Sequence, residues 1–124
     1  MRDILIKAKN LEGPKEWVFG VPQYSWKGEE EFQLEEIKNQ IGTYSIEIET
    51  LCQFTGLKDS KNNNIFENDI LEITYEGEGA TKWVVYYNKI MGMYRLKMFS
   101  GNGERMIFPL NERAVVVGNI KDLN

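Results

Sequence analysis

The chain predicts a mainly β protein. Three observations carry that expectation. Apolar residues recur at alternate positions along most of the sequence, the period of a half-buried strand. Glycine, proline and asparagine turn signals punctuate the alternating runs. The length of 124 residues, with 42% hydrophobic and 27% charged side chains, suits one domain with a buried core.

The first run sets Ile4, Ile6 and Ala8 on one side and Asp3, Leu5 and Lys7 on the other. Gly13-Pro14 marks a turn. Trp17–Tyr24 is aromatic and β-branched, and Gly20 and Pro22 inside it predict an interrupted or edge strand. Glu29–Ile41 is the one segment with a case for a short helix. Leu34, Ile37 and Ile41 fall at i, i+3 and i+7, with glutamates early and Lys38 late, although Phe32 and Leu34 fit a short strand equally. Ile46, Ile48, Cys52 and Phe54 alternate with Glu47, Glu49 and Gln53. Leu71, Ile73 and Tyr75 alternate with Glu72 and Thr74. Thr81–Tyr87 and Met93–Phe99 are strand-like and are separated by Asn88–Gly92. Gly101-Asn102-Gly103 predicts a hairpin leading into Arg105–Phe108, and Ala114–Val117 is a last short strand before Gly118. Such a series closes most simply into a small barrel, which removes exposed edges. We therefore expect a single domain over residues 1–124, with an SH3-like barrel over about 68–124 and N-terminal strands over about 1–55 that extend or cover it.

Composition excludes several chemistries. There is no histidine, so Ser-His-Asp and Cys-His catalysis and histidine metal sites fall away. Cys52 is the only cysteine, so no intramolecular disulfide forms, and its place in the alternation predicts a buried thiol. A zinc site in one chain would have to rely on carboxylates. Fifteen Lys and Arg against 19 Asp and Glu leave a net charge of −4, which disfavours the whole chain as a general nucleic-acid binder. Apolar runs stay far below the ~20 residues of a membrane span. Met1-Arg2-Asp3 leads straight into an alternating segment without a signal-peptide core, so the chain reads as cytoplasmic.

Leu51–Ile73 holds a strand, two turns and the start of a second strand. Its opening is Gln53-Phe54-Thr55-Gly56-Leu57-Lys58-Asp59, and it closes with Ile65-Phe66-Glu67-Asn68-Asp69-Ile70. This segment resembles the YopX family of phage and prophage proteins, which shows a glutamine-aromatic-TGLKD opening, a polar hairpin and an aliphatic-aromatic-EGDI ending. Glu16-Trp17-Val18-Phe19-Gly20 and Val116-Val117-Gly118-Asn119-Ile120 look like that family's early and closing strands. The family usually carries glycine where this chain has Asn62 and Asn68. Asparagine tolerates positive φ better than other side chains do, so both positions keep the turn chemistry. The resemblance implies an accessory protein of phages or prophages and brings no activity with it. Read physically, the motif residues Thr55, Gly56, Leu57, Lys58, Asp59, Glu67 and Asp69 are scaffold. Gly56 permits a sharp turn, Leu57 and Ile65 pin the loop to the core, and Asp69 braces the next turn. The Lys58–Asn64 loop is the alternative binding surface within it.

Other signals are weaker. Asp59–Asn64 suggests a calcium loop, but Asn64 and Ile70 stand where glycine and a bidentate glutamate are required. Glu29-Glu30-Glu31 and Glu35-Glu36 read as a solvated acidic face, and Glu76-Gly77-Glu78-Gly79 as a hairpin tip. Thr81–Arg105 is locally basic: Lys82, Lys89, Arg95, Lys97 and Arg105 against Glu104 give +4. Trp83, Tyr86, Tyr87, Tyr94 and Phe99 are interleaved with them, as in barrels that bind single strands. In a strand, Arg95 and Lys97 point away from Tyr94, Leu96 and Met98. We therefore nominate Lys82, Arg95, Lys97 and Arg105 as a nucleic-acid or partner face, against a plainer reading in which the aromatics fill the core. The overall acidity favours the plainer reading. The expected function is a non-enzymatic protein-interaction module without cofactor or metal, with a host or phage protein as partner, self-association in addition and no membrane contact. Nucleic-acid binding is the alternative.

Overall fold

A computed structural model describes residues 5–26, 32–75, 79–107 and 113–123. Two antiparallel sheets make up nearly all of it, as the alternation predicts. The chain divides into two compact units, Met1–Phe54 and Thr55–Asn124.

The first unit contains β1 (Ile6–Asn10), β2 (Trp17–Trp26), β3 (Phe32–Lys38) and β4 (Thr43–Lys58) as far as Phe54. β1 pairs with both β2 and β4, and β3 lies between β2 and β4, so the pairings form a closed ring. β2 is thus no edge strand. It pairs β1 through Trp17–Gly20 and β3 from Val21 onward, so the break expected at Gly20 is a change of partner. A Cβ at Gly20 would lie 2.3 Å from the Lys38 carbonyl oxygen and 2.8 Å from Ile37 Cγ2, so only glycine fits. Ile6, Ala8, Val18, Ile37 and Ile46 form the core, with Leu34, Tyr44 and Leu51 against it. On the other side of β1, Lys7 is buried with its Nζ 4.6 Å from the centre of the Trp17 ring.

Two register shifts decide what this unit shows to solvent. Gln23 pairs with Glu36 but Tyr24 with Leu34, which leaves Glu35 as a bulge in β3. The bulge brings Leu34 and Ile37 onto the same core at a spacing of three, the spacing of a helix. The helical reading of Glu29–Ile41 is therefore corrected to strand over Phe32–Lys38, while residues 29–31 lie outside the described residues. In β4, Lys7 pairs with Cys52 and Lys9 with Glu47, so Ile48–Leu51 bulge out opposite Ala8. Thr50 holds the bulge: its Oγ1 accepts from the Lys9 amide at 2.7 Å and donates to the Glu47 carbonyl at 2.6 Å. Ile48 is turned outward by it, against the expected alternation, while Cys52 is buried as expected.

In the second unit the end of β4 pairs with β5 (Asn64–Phe66). The main sheet holds β6 (Asp69–Tyr75), β7 (Gly79–Asn88), β8 (Met93–Met98), β9 (Glu104–Met106) and β10 (Arg113–Asn119) in the order β10-β6-β7-β8-β9. These are the five short strands expected after Asn68. Among the described residues this sheet is open, with β10 beside β6 and with β9 and β10 at its two ends, so it shows antiparallel strands without the closure expected of a barrel. Ile65, Leu71, Ile73, Val85, Leu96, Ile107 and Ala114 form the core, with Leu57, Tyr75, Trp83, Tyr94 and Val116 packed on it. Burying each aliphatic side chain contributes roughly 1.5–3 kcal/mol. A 3-10 turn, Ile120–Asp122, ends the unit.

Candidate functional site

The motif segment comes first because the sequence singles it out. Gly56 takes φ 87° inside β4, so it kinks the strand instead of ending it. Thr55 Oγ1 donates to the Ile65 carbonyl at 2.7 Å and accepts from the Leu57 amide at 3.1 Å. Leu57 and Ile65 both reach the core, as expected. Asp59 is only 7% exposed. Its Oδ1 accepts from the amides of Lys61 (2.9 Å) and Asn63 (2.8 Å), and its Oδ2 from the amide of Val116 (2.9 Å) and from Asn63 Nδ2 (3.3 Å). Burial by itself would push this carboxyl up. The hydrogen bonds from Val116, Asn63 and Lys61 outweigh it and hold the carboxyl below its ordinary 3.8.

The neighbouring Ser60 donates both its amide and its hydroxyl to the Ala114 carbonyl, each at 2.8 Å. Asp59 and Ser60 thus take up the outward-facing amide and carbonyl of β10, the work a further strand would do. Asn62 and Asn68 have φ of 68° and 70°, the left-handed conformation expected at the two glycine-like positions. Asp69 is 1% exposed and braces the second turn as expected, accepting from the Phe66 amide at 2.7 Å and from Asn119 Nδ2 at 2.9 Å. Glu67 is half-buried, and its carbonyl accepts from Asn119 Nδ2 at 3.4 Å. Lys58 is exposed at the end of β4. Both buried carboxylates are engaged by N–H donors, which is the chemistry of scaffold.

The four residues nominated as a basic face do not stay together. Trp83, Tyr94 and Leu96 pack on the core, so Lys82, Tyr86, Arg95 and Lys97 lie on the opposite face. Lys97 Nζ sits 5.2 Å from the centre of the Tyr86 ring. Exposed Phe99 donates its amide to the Lys82 carbonyl at the base of the hairpin. Arg105, however, pairs with Leu96 and shares its core side. Its Nη1 donates to Tyr75 Oη at 2.9 Å and its guanidinium lies 5.9 Å from the Trp83 ring centre. Across the strands Lys82 stands in register with Glu72 and Lys97 with Glu104, while the register partners of Arg95 are Tyr86 and Met106. Of the interleaved aromatics, Trp83 and Tyr94 are thus core residues.

Two apolar features were not singled out by sequence reasoning. The first is the tip of the β7–β8 hairpin, where Ile90 is 98% and Met91 55% exposed. The turn is tightly built. Asn88 Oδ1 accepts from the amides of Ile90 (3.0 Å) and Met91 (2.9 Å), and Gly92, at φ 66°, donates its amide to the Asn88 carbonyl at 2.8 Å. Behind it Tyr87 and Tyr94 stack edge to face at 5.1 Å. The signal was an Ile-Met pair inside a segment otherwise made of turn residues. The second is a hollow of about 650 Å³ in the first unit, lined by Leu11, Leu34, Ile46 and Ile48 with Glu35 and Ser45. No local pattern marks it, because two bulges build it.

Among the described residues, no three His, Cys, Asp or Glu side chains gather as a metal-ligand group, and no helix is long and apolar enough to cross a membrane. A comparison with curated proteins finds no match. The family model described as YopX protein matches residues 13–122, most of the chain, and by that match the chain belongs to the YopX family.

Proposed function

We propose that this chain is a non-enzymatic protein-interaction module of phage or prophage, acting in the cytoplasm of the bacterial host on a host or phage protein. The observation that carries the reading is the hairpin tip. A turn held by three hydrogen bonds presents Ile90 and Met91 to water. Large apolar side chains on a rigid, projecting turn gain most when a partner covers them. The buried carboxylates Asp59 and Asp69 support the non-enzymatic part, since amide donors already take them up. The test is a photo-crosslinking residue placed at Ile90, with a control at exposed Asn102, in cells carrying the phage or prophage. One nuclease-resistant protein adduct at position 90 is expected. Equal labelling at both positions overturns the reading.

Nucleic-acid binding remains the second reading because Lys82, Arg95 and Lys97 share a face with Tyr86. It predicts salt-dependent affinity for an oligonucleotide, weakened by Arg95→Ala with Lys97→Ala while the fold is kept. Glu72 and Glu104, the register partners of Lys82 and Lys97 on the neighbouring strands, argue against it, and absence of binding at low salt ends it.

A further inference from the structure

We infer that the hairpin tip of one copy docks into the hollow of the first unit of a second copy, so that self-association joins two different patches. The inference rests on reading the tip as a contact surface, and adds what it contacts.

Both halves of the contact are present on one chain, and both are open. The knob is Ile90 with Met91, flanked by Lys89. The hollow has an apolar floor of Leu34 and Ile46, walls of half-exposed Leu11 and Ile48, and Glu35 and Ser45 as its polar lining. Its volume of about 650 Å³ has room for an isoleucine and a methionine side chain. The charges are complementary, Lys89 beside the knob and Glu35 in the hollow, which would fix the direction of entry. The Thr50-braced bulge that turns Ile48 outward is the local feature that makes the hollow apolar at its mouth. Because knob and hollow are different patches, the contact is heterologous. A heterologous contact builds a ring where its rotation closes and an open chain where it does not.

The 124-residue chain is expected to sediment at no less than twice its 14.5 kDa mass. Ile90→Glu and Leu11→Glu each remove a side chain that is at least half exposed, so both variants fold, which a thermal melt checks. Each is expected to weaken self-association by about tenfold or more. Mixed together, the two variants re-form a complex, because one still has a hollow and the other still has a tip. Lys89→Glu weakens association and adding Glu35→Lys restores it. A wild-type chain that stays monomeric at its highest soluble concentration overturns the inference. So does an oligomer that survives both variants, or a mixture that does not associate. A monomeric chain that still crosslinks a different protein through position 90 refutes the inference and leaves the interaction-module reading standing.

Discussion

In the first unit each of β1–β4 has a neighbour on both sides, because β1 pairs with β2 and with β4. In the second unit the sheet runs from β10 to β9, and the edge at β10 is met by the Asp59 carboxylate and by Ser60. One unit satisfies its edges with backbone, the other with a loop whose side chains imitate backbone. The first solution requires close approach of chains and so depends on shape. The second depends on a charge state. The two units should therefore fail differently.

The largest expected effect is in the first unit. Gly20→Ala places a methyl group 2.3 Å from the Lys38 carbonyl oxygen, which is backbone and cannot swing aside. We expect a loss of about 3 kcal/mol or more, seen as a fall in Tm on the order of 10 °C. Hydrogen exchange sharpens the comparison, since amides of β1–β3 should lose protection first. Equal loss across both units would show that they unfold together. A Tm within a degree or two of the wild type would mean that β2 and β3 can part without cost.

The next effect belongs to the second unit. Asp59→Ala strips four hydrogen bonds and leaves the half-buried Val116 amide without its acceptor. About 2–3 kcal/mol should be lost, with protection falling at β10 first. The pH dependence is the finer test. The folded Asp59 carboxyl titrates below its unfolded value of 3.8, so the stability it contributes is fully present above that value. That stability is lost as pH falls through the folded value. Asp59→Asn, which cannot titrate, should flatten the acid limb of a Tm-against-pH curve. Gly20→Ala should leave that limb parallel to the wild type. If both variants bend alike, the carboxylate is not what holds the β10 edge.

How far the sequence could be read follows from the same contrast. Where turns and alternation act locally, it was legible. Leu71, Ile73 and Tyr75 face the core, Gly101–Gly103 makes its hairpin, and Asn62 and Asn68 take positive φ. Where register decides, it was not. One bulge at Glu35 gives β3 the apolar spacing of a helix, and a four-residue bulge in β4 sends Ile48 outward. Arg105 faces the core side because the loop after Met98 pairs it with Leu96, which composition cannot reveal. The Ile90–Met91 tip was hidden for another reason. A turn hides its apolar residues from any argument based on periodicity.

The smallest prediction probes the second unit's reliance on polar residues in turns. Asn68 holds φ 70° while its amide donates to the Val85 carbonyl at 2.8 Å and its carbonyl accepts from Ile120 at 2.9 Å. Those bonds are backbone and survive Asn68→Gly. Glycine adopts this conformation without the steric cost that a Cβ carries, although it adds freedom to the unfolded chain. The net gain should be about 0.5 kcal/mol, a rise in Tm of roughly 2 °C. Asn62→Gly, at φ 68° on the exposed Asp59 loop, should behave alike. A drop at Asn68 with a gain at Asn62 would mean that the Asn68 side chain itself helps to hold the turn between β5 and β6. In that case this unit depends on polar side chains beyond its β10 edge, and the contrast with the glycine-dependent first unit becomes sharper still.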